Sequence, residues 1–257
     1  MQQPKISATH RALRSTSRLT ATRLWNSRFL SREEQQALEV AASPARSVGS
    51  NVDLVREGER ADSLFIVIDG WACRYTTTRD GARQISALLV PGDVGNLDSL
   101  MFDRLDYGVR TLTQATMLTL PRDSALGLAA QQPGIARTFT WLALVENAIL
   151  SKWALSLGRR SAKERLAHLL CELSVRLGAQ EENESSFACP LTQEQLADAL
   201  GLTSVHVNRT MQQLRTEGMV VTATRTVTLP DVAGLRQIGG FDPGYLHVDA
   251  PTETLLA

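Results

Sequence analysis

The sequence has few of the residues from which metal sites and disulfide frameworks are built. Its 257 residues include three cysteines and four histidines. Cys73, Cys171 and Cys189 are far apart and form no C-x-x-C pair, which excludes the usual zinc and iron–sulfur spacings. The histidines form no cluster along the chain. We therefore predict no metal ligands and no cofactor, and we expect the thiols to be buried and reduced.

Long apolar runs and an excess of one charge are also missing. No run of about 18 apolar residues occurs, so no membrane span is predicted. Lys plus Arg equals Asp plus Glu, at 27 each, so net charge does not indicate a nucleic-acid partner. Residues 1–31 carry six basic and no acidic residues, whereas residues 161–257 carry seven basic and twelve acidic ones. No nucleophile with a base and an orienting group is visible, so no catalytic residue is predicted.

The strongest local signal lies in residues 191–214. Thr192 and Gln195 have the spacing of a capping box at a helix start. Gly201 follows the apolar positions of that short helix, where chains leave a helix through a left-handed residue. A second helix is predicted after Thr203. Two short amphipathic helices joined by a glycine turn predict a helix-turn-helix. The apolar stripe of the second helix is Val207, Met211 and Leu214.

If that stripe faces inward, the outward side of the second helix is available to DNA. Arg209 can bind a guanine through two hydrogen bonds, Asn208 can pair with adenine or touch phosphate, and Val205 can cover a thymine methyl group. Thr203 and Ser204 lie where hydroxyl and backbone N–H groups commonly meet phosphate. The alternative is a helical hairpin in an ordinary core, with Arg209 merely solvated.

The residues after the second helix favour the DNA-binding interpretation. Gly218 ends the helix, and the alternating segments 219–222 and 226–229 predict a hairpin. Arg225 lies at its tip, where it can contact the DNA backbone. We therefore predict a winged helix-turn-helix over residues 191–229. The predicted DNA-binding residues are Thr203, Ser204, Val205, Asn208, Arg209 and Arg225.

From about Val48 to Pro121 the chain changes to short apolar runs separated by glycine. Residues 63–68 form a strongly apolar run closed by Asp69-Gly70, and Arg79-Asp80-Gly81 has the composition of a hairpin turn. Six or more short strands at regular spacing predict a small barrel or jelly roll. The predicted fold class is α+β, with an N-terminal β-roll, a long helix and a C-terminal winged helix-turn-helix.

Residues 134–158 predict the long helix between these regions. Apolar residues at spacings of three and four form a seam of the coiled-coil kind, which predicts a dimer. The predicted dimerisation residues are Phe139, Leu142, Val145, Ile149 and Trp153. A helix packed only on its own β-roll is the alternative. Gly158-Arg159-Arg160 is the predicted hinge, and Ser161 with Glu164 is a capping box for the next helix.

The order of these segments resembles that of Crp/Fnr-type transcription regulators over roughly residues 30–235. The resemblance implies a cyclic-nucleotide-binding-type β-roll, a dimerisation helix and a winged helix. It also implies a homodimer on palindromic double-stranded DNA, RNA polymerase as a partner, and a bacterial cytoplasmic location. The residues that carry it are Glu57-Gly58, Leu64–Gly70, Asp80-Gly81, Gln84-Ile85, Pro91-Gly92-Asp93 and Leu191–Leu214.

Two departures from the family pattern concern the signal. Members that bind cyclic AMP carry a Gly-Glu pair for the ribose and an Arg-Ser pair for the phosphate. Here the glutamate is missing from the region that begins Gly92-Asp93, and Arg104 lies between Asp103 and Asp106. Members that sense oxygen through an iron–sulfur cluster carry N-terminal cysteines, and this chain has none before Cys73.

The sequence therefore favours a dimeric DNA-binding regulator whose signal, sensed in or through the β-roll, is not cyclic AMP. No effector-binding residue is predicted. The alternatives are a regulator that does respond to a cyclic nucleotide and a sensor module whose helix-turn-helix contacts protein. The predicted domains are a flexible basic extension (1–24), a sensory β-roll (25–130), a dimerisation helix (131–158), a winged helix-turn-helix (159–238) and a mobile tail (239–257).

Overall fold

The computed structural model describes residues 22–179 and 184–248. By contacts the chain divides into two compact units. The first contains Met1–Arg74 and Leu89–Ala143, and the second contains Tyr75–Leu88 and Leu144–Ala257. The second unit therefore includes a segment, Tyr75–Leu88, that the sequence placed in the β-roll domain. Residues 1–21 and 249–257 of the predicted extension and tail lie outside the described residues.

Seven α-helices and ten strands are present in the described residues, in a mixed α+β order. In chain order they are α1 (Arg32–Ala41), β1 (Arg46–Val48), β2 (Asp53–Val55), β3 (Ser63–Asp69), β4 (Ala72–Thr77), β5 (Arg83–Leu89), β6 (Gly108–Thr111), β7 (Ala115–Pro121), α2 (Arg122–Gln131), α3 (Pro133–Arg159), α4 (Ala162–Arg176), β8 (Ser185–Ala188), α5 (Gln193–Leu200), α6 (Ser204–Thr216), β9 (Val221–Ala223), β10 (Thr226–Leu229) and α7 (Val232–Gly239). Short 3-10 helices cover Leu97–Leu100 and Pro243–Leu246.

Two sheets form the predicted β-roll. One has the strand order β1-β7-β3 and the other has the order β2-β6-β4-β5. Strands β3 and β7 are antiparallel, with Leu64 opposite Leu120 and Ile66 opposite Leu118. All four side chains are buried. They belong to a core cluster that fills one side of the first sheet.

The core of the first unit begins earlier than the sequence predicted. Leu24 and Trp25 are almost fully buried in the same cluster as Leu64 and Ile66. Trp25 is also held through its carbonyl, which accepts a 2.8 Å hydrogen bond from Gln35 Nε2 on α1. The predicted boundary of the flexible extension at residue 24 is therefore too late.

Helix α1 begins with a capping box formed by Ser31 and Glu34. Ser31 Oγ accepts from the backbone N–H of Glu34, and the Glu34 carboxylate accepts from Ser31 N–H at 2.8 Å. The same carboxylate accepts from the backbone N–H of Gly134 at 2.8 Å, at the start of α3. A Cβ at Gly134 would lie 2.3 Å from that carboxylate and from the Phe29 carbonyl. Glycine is therefore required there by close packing, whatever its backbone angles.

Helix α3 is continuous over 27 residues and does not break at Gly158. The helix ends at Arg159, within the predicted hinge Gly158-Arg159-Arg160. Ser161 and Glu164 then form the predicted capping box of α4.

The five predicted dimerisation residues are buried within the single chain. Their exposed fractions lie between 2% and 9%. Phe139 and Leu142 belong to the core cluster of the first unit, and Trp153 donates its indole N–H to Glu172 in the second. That apolar stripe therefore packs against the chain's own core. The prediction of which face of α3 meets a partner is corrected, because a helix can carry two such stripes and only its neighbours decide which one is covered.

The second unit contains one strand that the sequence did not predict and one segment whose prediction needs correction. Strand β8 pairs with β10, from Ser185 opposite Leu229 to Ala188 opposite Thr226. The tail expected to be mobile from residue 239 is folded as far as it is described. Phe241 and Leu246 are buried, because both lie in the apolar packing around α4 and α7.

Candidate nucleic-acid interface

The first helix of the predicted helix-turn-helix, α5, is bounded by the residues that the sequence indicated. Thr192 Oγ1 accepts from Gln195 N–H at 3.1 Å, and Gln195 Oε1 accepts from Thr192 N–H at 2.9 Å. These bonds satisfy two of the backbone donors that every helix start leaves open. Gly201 closes the helix with φ 61°, a left-handed conformation that costs glycine little. The predicted capping box and glycine exit are both confirmed.

The second helix, α6, buries the stripe that was predicted to face inward. Val207 and Leu214 are fully buried and Met211 is 9% exposed. Thr203 Oγ1 accepts from His206 N–H at 3.2 Å and so caps the helix. The sequence did not indicate Thr210, which is also buried and donates its hydroxyl to the His206 carbonyl. The opposite side of α6 is left for solvent or for DNA.

That outward side carries a stripe of polar and apolar side chains. Val205 is 73% exposed, and Ser204, Arg209 and Gln212 are exposed as well. Val205, Arg209 and Gln212 are spaced by four and three residues, which puts them on one face of the helix. Gln212 was missed by the sequence reasoning, although its spacing of three residues from Arg209 could have revealed it. A glutamine at this place can bind adenine through two hydrogen bonds.

Arg209 and Asn208 differ in what they already bind. Among the described residues, nothing forms a hydrogen bond or ion pair with the Arg209 side chain, so its five N–H donors are available. The Asn208 Nδ2 group donates to Gln193 Oε1 on α5 at 3.0 Å. Asn208 is half-buried and thereby couples the two helices. Its amide oxygen remains able to accept a hydrogen bond from a base or from water.

The predicted hairpin is present and forms a three-stranded wing with β8. Ala223 pairs with Thr226, so Thr224 and Arg225 make the turn. Arg225 is exposed and has φ 75°, a left-handed conformation that is uncommon for a residue with a side chain. Its carbonyl accepts from Cys189 N–H at 2.7 Å, which fixes the turn against β8. The guanidinium is thus held at the tip of the wing.

Ion pairs and hydrogen bonds fix the far end of α6. Glu217 accepts from Lys163 Nζ at 2.5 Å, and Arg215 Nη1 donates to Thr222 Oγ1 in the wing at 3.1 Å. The hydrogen bond and ion pair with Lys163 lower the pKa of the exposed Glu217 carboxyl. Both contacts hold α6 against its neighbours, while Arg209 on the opposite face stays available.

A buried polar network lies beneath this surface, and the sequence reasoning did not find it. The Glu172 carboxylate is fully buried and accepts from Trp153 Nε1 at 3.0 Å, from the Tyr245 hydroxyl at 2.8 Å and from Arg176 Nη1 at 3.0 Å. These donors come from α3, from the 3-10 helix near the C-terminus and from α4 itself. Breaking a buried ion pair of this kind leaves an uncompensated charge, so the network holds the three segments together.

His168 lies beside this network, with Nδ1 3.1 Å from the Gly239 carbonyl and Nε2 3.1 Å from the Tyr245 hydroxyl. Burial lowers the pKa of His168 to about 4, and the nearby Arg160 adds to that shift. The imidazole is therefore neutral at pH 7. Burial also raises the pKa of Tyr245, and the Glu172 carboxylate acts in the same direction.

Four arginine side chains of the β-roll domain form hydrogen bonds or ion pairs within the protein. Arg110 binds both oxygens of Asp53, at 2.6 and 2.8 Å. Arg74 Nε donates to the Gly95 carbonyl at 2.6 Å, and Arg104 Nη1 donates to the Gly58 carbonyl at 2.7 Å. Arg122 donates to the Ser99 carbonyl and pairs with Asp103.

The side chain of Asn96, the residue after Gly95, also forms hydrogen bonds within the protein. Asn96 is fully buried, and its Oδ1 accepts from Phe65 N–H at 2.8 Å. Its Nδ2 donates to the Ser63 carbonyl at 2.9 Å and to Ser99 Oγ at 3.2 Å. Asn96 therefore fastens this turn to β3 and has no amide group left for a sugar hydroxyl.

No group of His, Cys, Asp and Glu in residues 22–179 and 184–248 has the arrangement of a metal site. Over the same residues, no helix has the length and apolarity needed to cross a membrane. All three cysteines are buried, and none of them forms a disulfide.

Comparison with known proteins gives matches over both halves of the chain. The profile of the Crp-like helix-turn-helix domain matches residues 164–238, and that of the cyclic nucleotide-binding domain matches residues 45–132. The transcriptional activator protein FnrL of Cereibacter sphaeroides is 30% identical over 203 residues, which are 77% of this chain and 81% of that protein. The transcriptional activatory protein AadR of Rhodopseudomonas palustris is 31% identical over 173 residues, 67% of this chain and 72% of that protein. The solved structure of FixK2 from Bradyrhizobium japonicum superposes with a TM-score of 0.70 at 26% identity, covering 77% of this chain and 96% of that one.

Proposed function

The chain belongs to the Crp/Fnr family of DNA-binding transcription regulators, and from this we propose that it reads a palindromic DNA site as a homodimer and recruits or blocks RNA polymerase there. Arg209 carries the proposal, since it is exposed and unbonded among the described residues on the outward face of a capped and anchored α6. An unpaired guanidinium at this end of a recognition helix suits the two acceptors of a guanine in the major groove.

We assign the remaining contacts by the surroundings of each side chain. Val205 packs on a thymine methyl group, and Gln212 and the amide oxygen of Asn208 face neighbouring base edges. Thr203 and Ser204, at the start of α6, contact phosphate through hydroxyl and backbone N–H groups. Arg225 contacts phosphate from the tip of the wing. Such contacts place the protein on the duplex without reading its sequence.

The dimer forms through the exposed face of α3 rather than through the five buried residues. On that face the residues recur at spacings of three and four, as the a and d positions of a heptad do. We call this set the dimer stripe, and it consists of Thr140, Ala143, Asn147, Leu150, Ala154 and Leu157. The first five are exposed and Leu157 is half-buried. Two-fold pairing sets two recognition helices about 34 Å apart, one turn of DNA.

The signal is sensed in or through the β-roll and is not a cyclic nucleotide. A cyclic phosphate is bound by an unpaired cation together with converging N–H donors. Arg74, Arg104, Arg110 and Arg122 each donate to an acceptor of the protein itself. Asn96 is used in the same way. A bound cyclic phosphate would have to compete with these acceptors for the same guanidinium groups.

Selection from a pool of random DNA duplexes tests the proposal. The purified protein, without added ligand, should enrich a palindrome with half-sites one helical turn apart. Arg209→Ala should weaken binding to that site by about 1–3 kcal/mol, roughly 5- to 150-fold in Kd, and relax the preference at one base pair in each half-site.

Arg215→Ala is the matched control for this substitution. It removes the same charge from the same helix, but Arg215 is engaged with Thr222 in the wing. Base preference should therefore persist in this variant. If Arg209→Ala kept full discrimination between bases, α6 would not read DNA through the face described here. A helix-turn-helix that serves protein contact would enrich no sequence.

A further inference from the structure

The dimer stripe contains one side chain that its own chain leaves unsatisfied. Two of its members, Thr140 and Asn147, have polar side chains. The Thr140 hydroxyl donates to the Ala136 carbonyl of its own helix at 2.9 Å. Nothing among the described residues forms a hydrogen bond with the carboxamide of Asn147, which is exposed. Asn147 therefore offers two donors and one acceptor at the middle of an otherwise apolar or internally satisfied face.

The surroundings of Asn147 suit a second copy of the same helix. Leu150 and the neighbouring Leu144 are 52% and 63% exposed, so two large apolar side chains face solvent on this side of the single chain. A helix face of this kind is normally covered by another element. No charged residue lies on the stripe or at Leu144, Ser151 and Gly158 along one side of it, and Glu146 lies along the other side. In a parallel pair the two Asn147 side chains meet across the two-fold axis. A carboxamide both donates and accepts, so it is complementary to its own copy.

We propose that Asn147 pairs with its counterpart in the second protomer and thereby fixes the dimer as a parallel, two-stranded pair in one register. This inference rests on the proposed homodimer and adds the residue that specifies it. A single asparagine at an a position is known to select register and strand number in coiled coils at some cost in stability. A slip of one heptad places one Asn147 carboxamide opposite Ala154 and the other opposite Thr140, whose hydroxyl already donates to the Ala136 carbonyl, so the mutual carboxamide pair is lost.

The register of this pair matters for DNA binding. A slip of one heptad moves one helix by about 10 Å relative to the other, at 1.5 Å per residue. Two recognition helices displaced in this way no longer match half-sites one turn of DNA apart. Mutual pairing of Asn147 therefore protects the spacing that a palindromic site requires.

Disulfide trapping in the full-length protein tests the register directly. In the proposed register Leu150→Cys faces its own copy and forms a disulfide on oxidation. A mixture of Leu150→Cys and Ala143→Cys proteins reports a slip, because residues 143 and 150 face each other only after a shift of one heptad. In the correct register they are about 10 Å apart along the helix, too far for a disulfide. The three native cysteines, Cys73, Cys171 and Cys189, are all buried, so none of them competes for the oxidant. Burial also raises the pKa of Cys171 to about 12 and that of Cys189 to about 11, which further lowers their reactivity.

With Asn147 in place, we expect the 150–150 and 143–143 products without the 143–150 product, and we expect the protein to sediment as a dimer. Asn147→Leu should associate at least tenfold more tightly but should also yield the 143–150 product or larger oligomers. Thr140→Leu is the matched control. It makes an equally apolar a position, but the Thr140 hydroxyl is already satisfied in its own helix, so the register should stay single.

Two results would overturn the inference, and they have different consequences. If Asn147→Leu formed only in-register dimers, Asn147 would not set the register, although the dimeric regulator would stand. If the wild-type protein bound its DNA site as a monomer and the Leu150→Cys variant gave no 150–150 product, the proposed homodimer would fail, and the inference with it.

Discussion

The arginines of the β-roll domain and those on the proposed DNA-binding surface differ in one respect: the former are bonded within the protein, whereas the latter have no such bond among the described residues. Arg74, Arg104 and Arg110 all donate to carbonyls or carboxylates nearby. Among the described residues, no hydrogen bond or ion pair engages the side chain of Arg209 or Arg225. The first set lies in the region that matches the cyclic nucleotide-binding domain profile, and the second set lies in the region that matches the Crp-like helix-turn-helix profile.

The difference shows what a domain match leaves open. A guanidinium that already binds a carboxylate must lose that partner before it binds a phosphate, and the exchange gains little. A free guanidinium loses only water. The same fold can therefore keep the shape of a nucleotide-binding domain without its binding chemistry. The two regions therefore differ in whether their arginine side chains already bind groups of the protein itself.

Among the arginines bonded within the β-roll domain, substitution of Arg110 by alanine should lower the stability of the protein most. The substitution removes both hydrogen bonds to Asp53, a pair whose side chains are 28% and 14% exposed. We expect the free energy of unfolding to fall by about 1–3 kcal/mol, since a partly buried carboxylate loses its main partner. Denaturant titration measures this. Arg60→Ala is the control, because its pair with Asp62 is largely exposed and should contribute less than about 1 kcal/mol.

A smaller effect of a different kind should follow from Arg225→Ala. The fold should keep its stability, because the side chain holds no partner among the described residues. DNA affinity should fall by a similar factor for every sequence, and the slope of log K against log salt should decrease by about 1. Arg225→Gly is the matched control: it also removes the charge but suits φ 75° better, so the two variants should bind DNA alike. A loss confined to the palindrome would place Arg225 at a base instead.

The smallest expected effect is that of cyclic AMP, which should leave DNA affinity and melting temperature unchanged. The four arginines of the β-roll domain described above form hydrogen bonds within the protein, and Asn96 is fully buried. Titration to millimolar nucleotide, read by DNA binding and by thermal unfolding, measures both quantities. A melting temperature that rises with nucleotide concentration would show that the arginines exchange partners, and the contrast between the two regions would disappear.

Much of the DNA-binding site could be predicted from local sequence. The capping box of α5, the left-handed Gly201 and the inward residues of α6 all depend on neighbours within one or two helical turns. Such signals are short-range because caps and helix faces are set by the backbone bonds of the element itself. Gln212 was within reach of the same reasoning. The partner of Asn208, on another helix, was not.

What the sequence by itself determined was the order of elements, the winged helix-turn-helix with its outward Arg209, and the family resemblance. What the tertiary structure alone decided was which of two stripes on α3 is covered, that Glu172 gathers donors from three segments, and that the arginines of the β-roll are bonded internally. The physical reason is the same in each case. Periodicity shows that a face is apolar and composition shows that a charge exists, but burial and pairing depend on residues far away in the chain that only folding brings into contact.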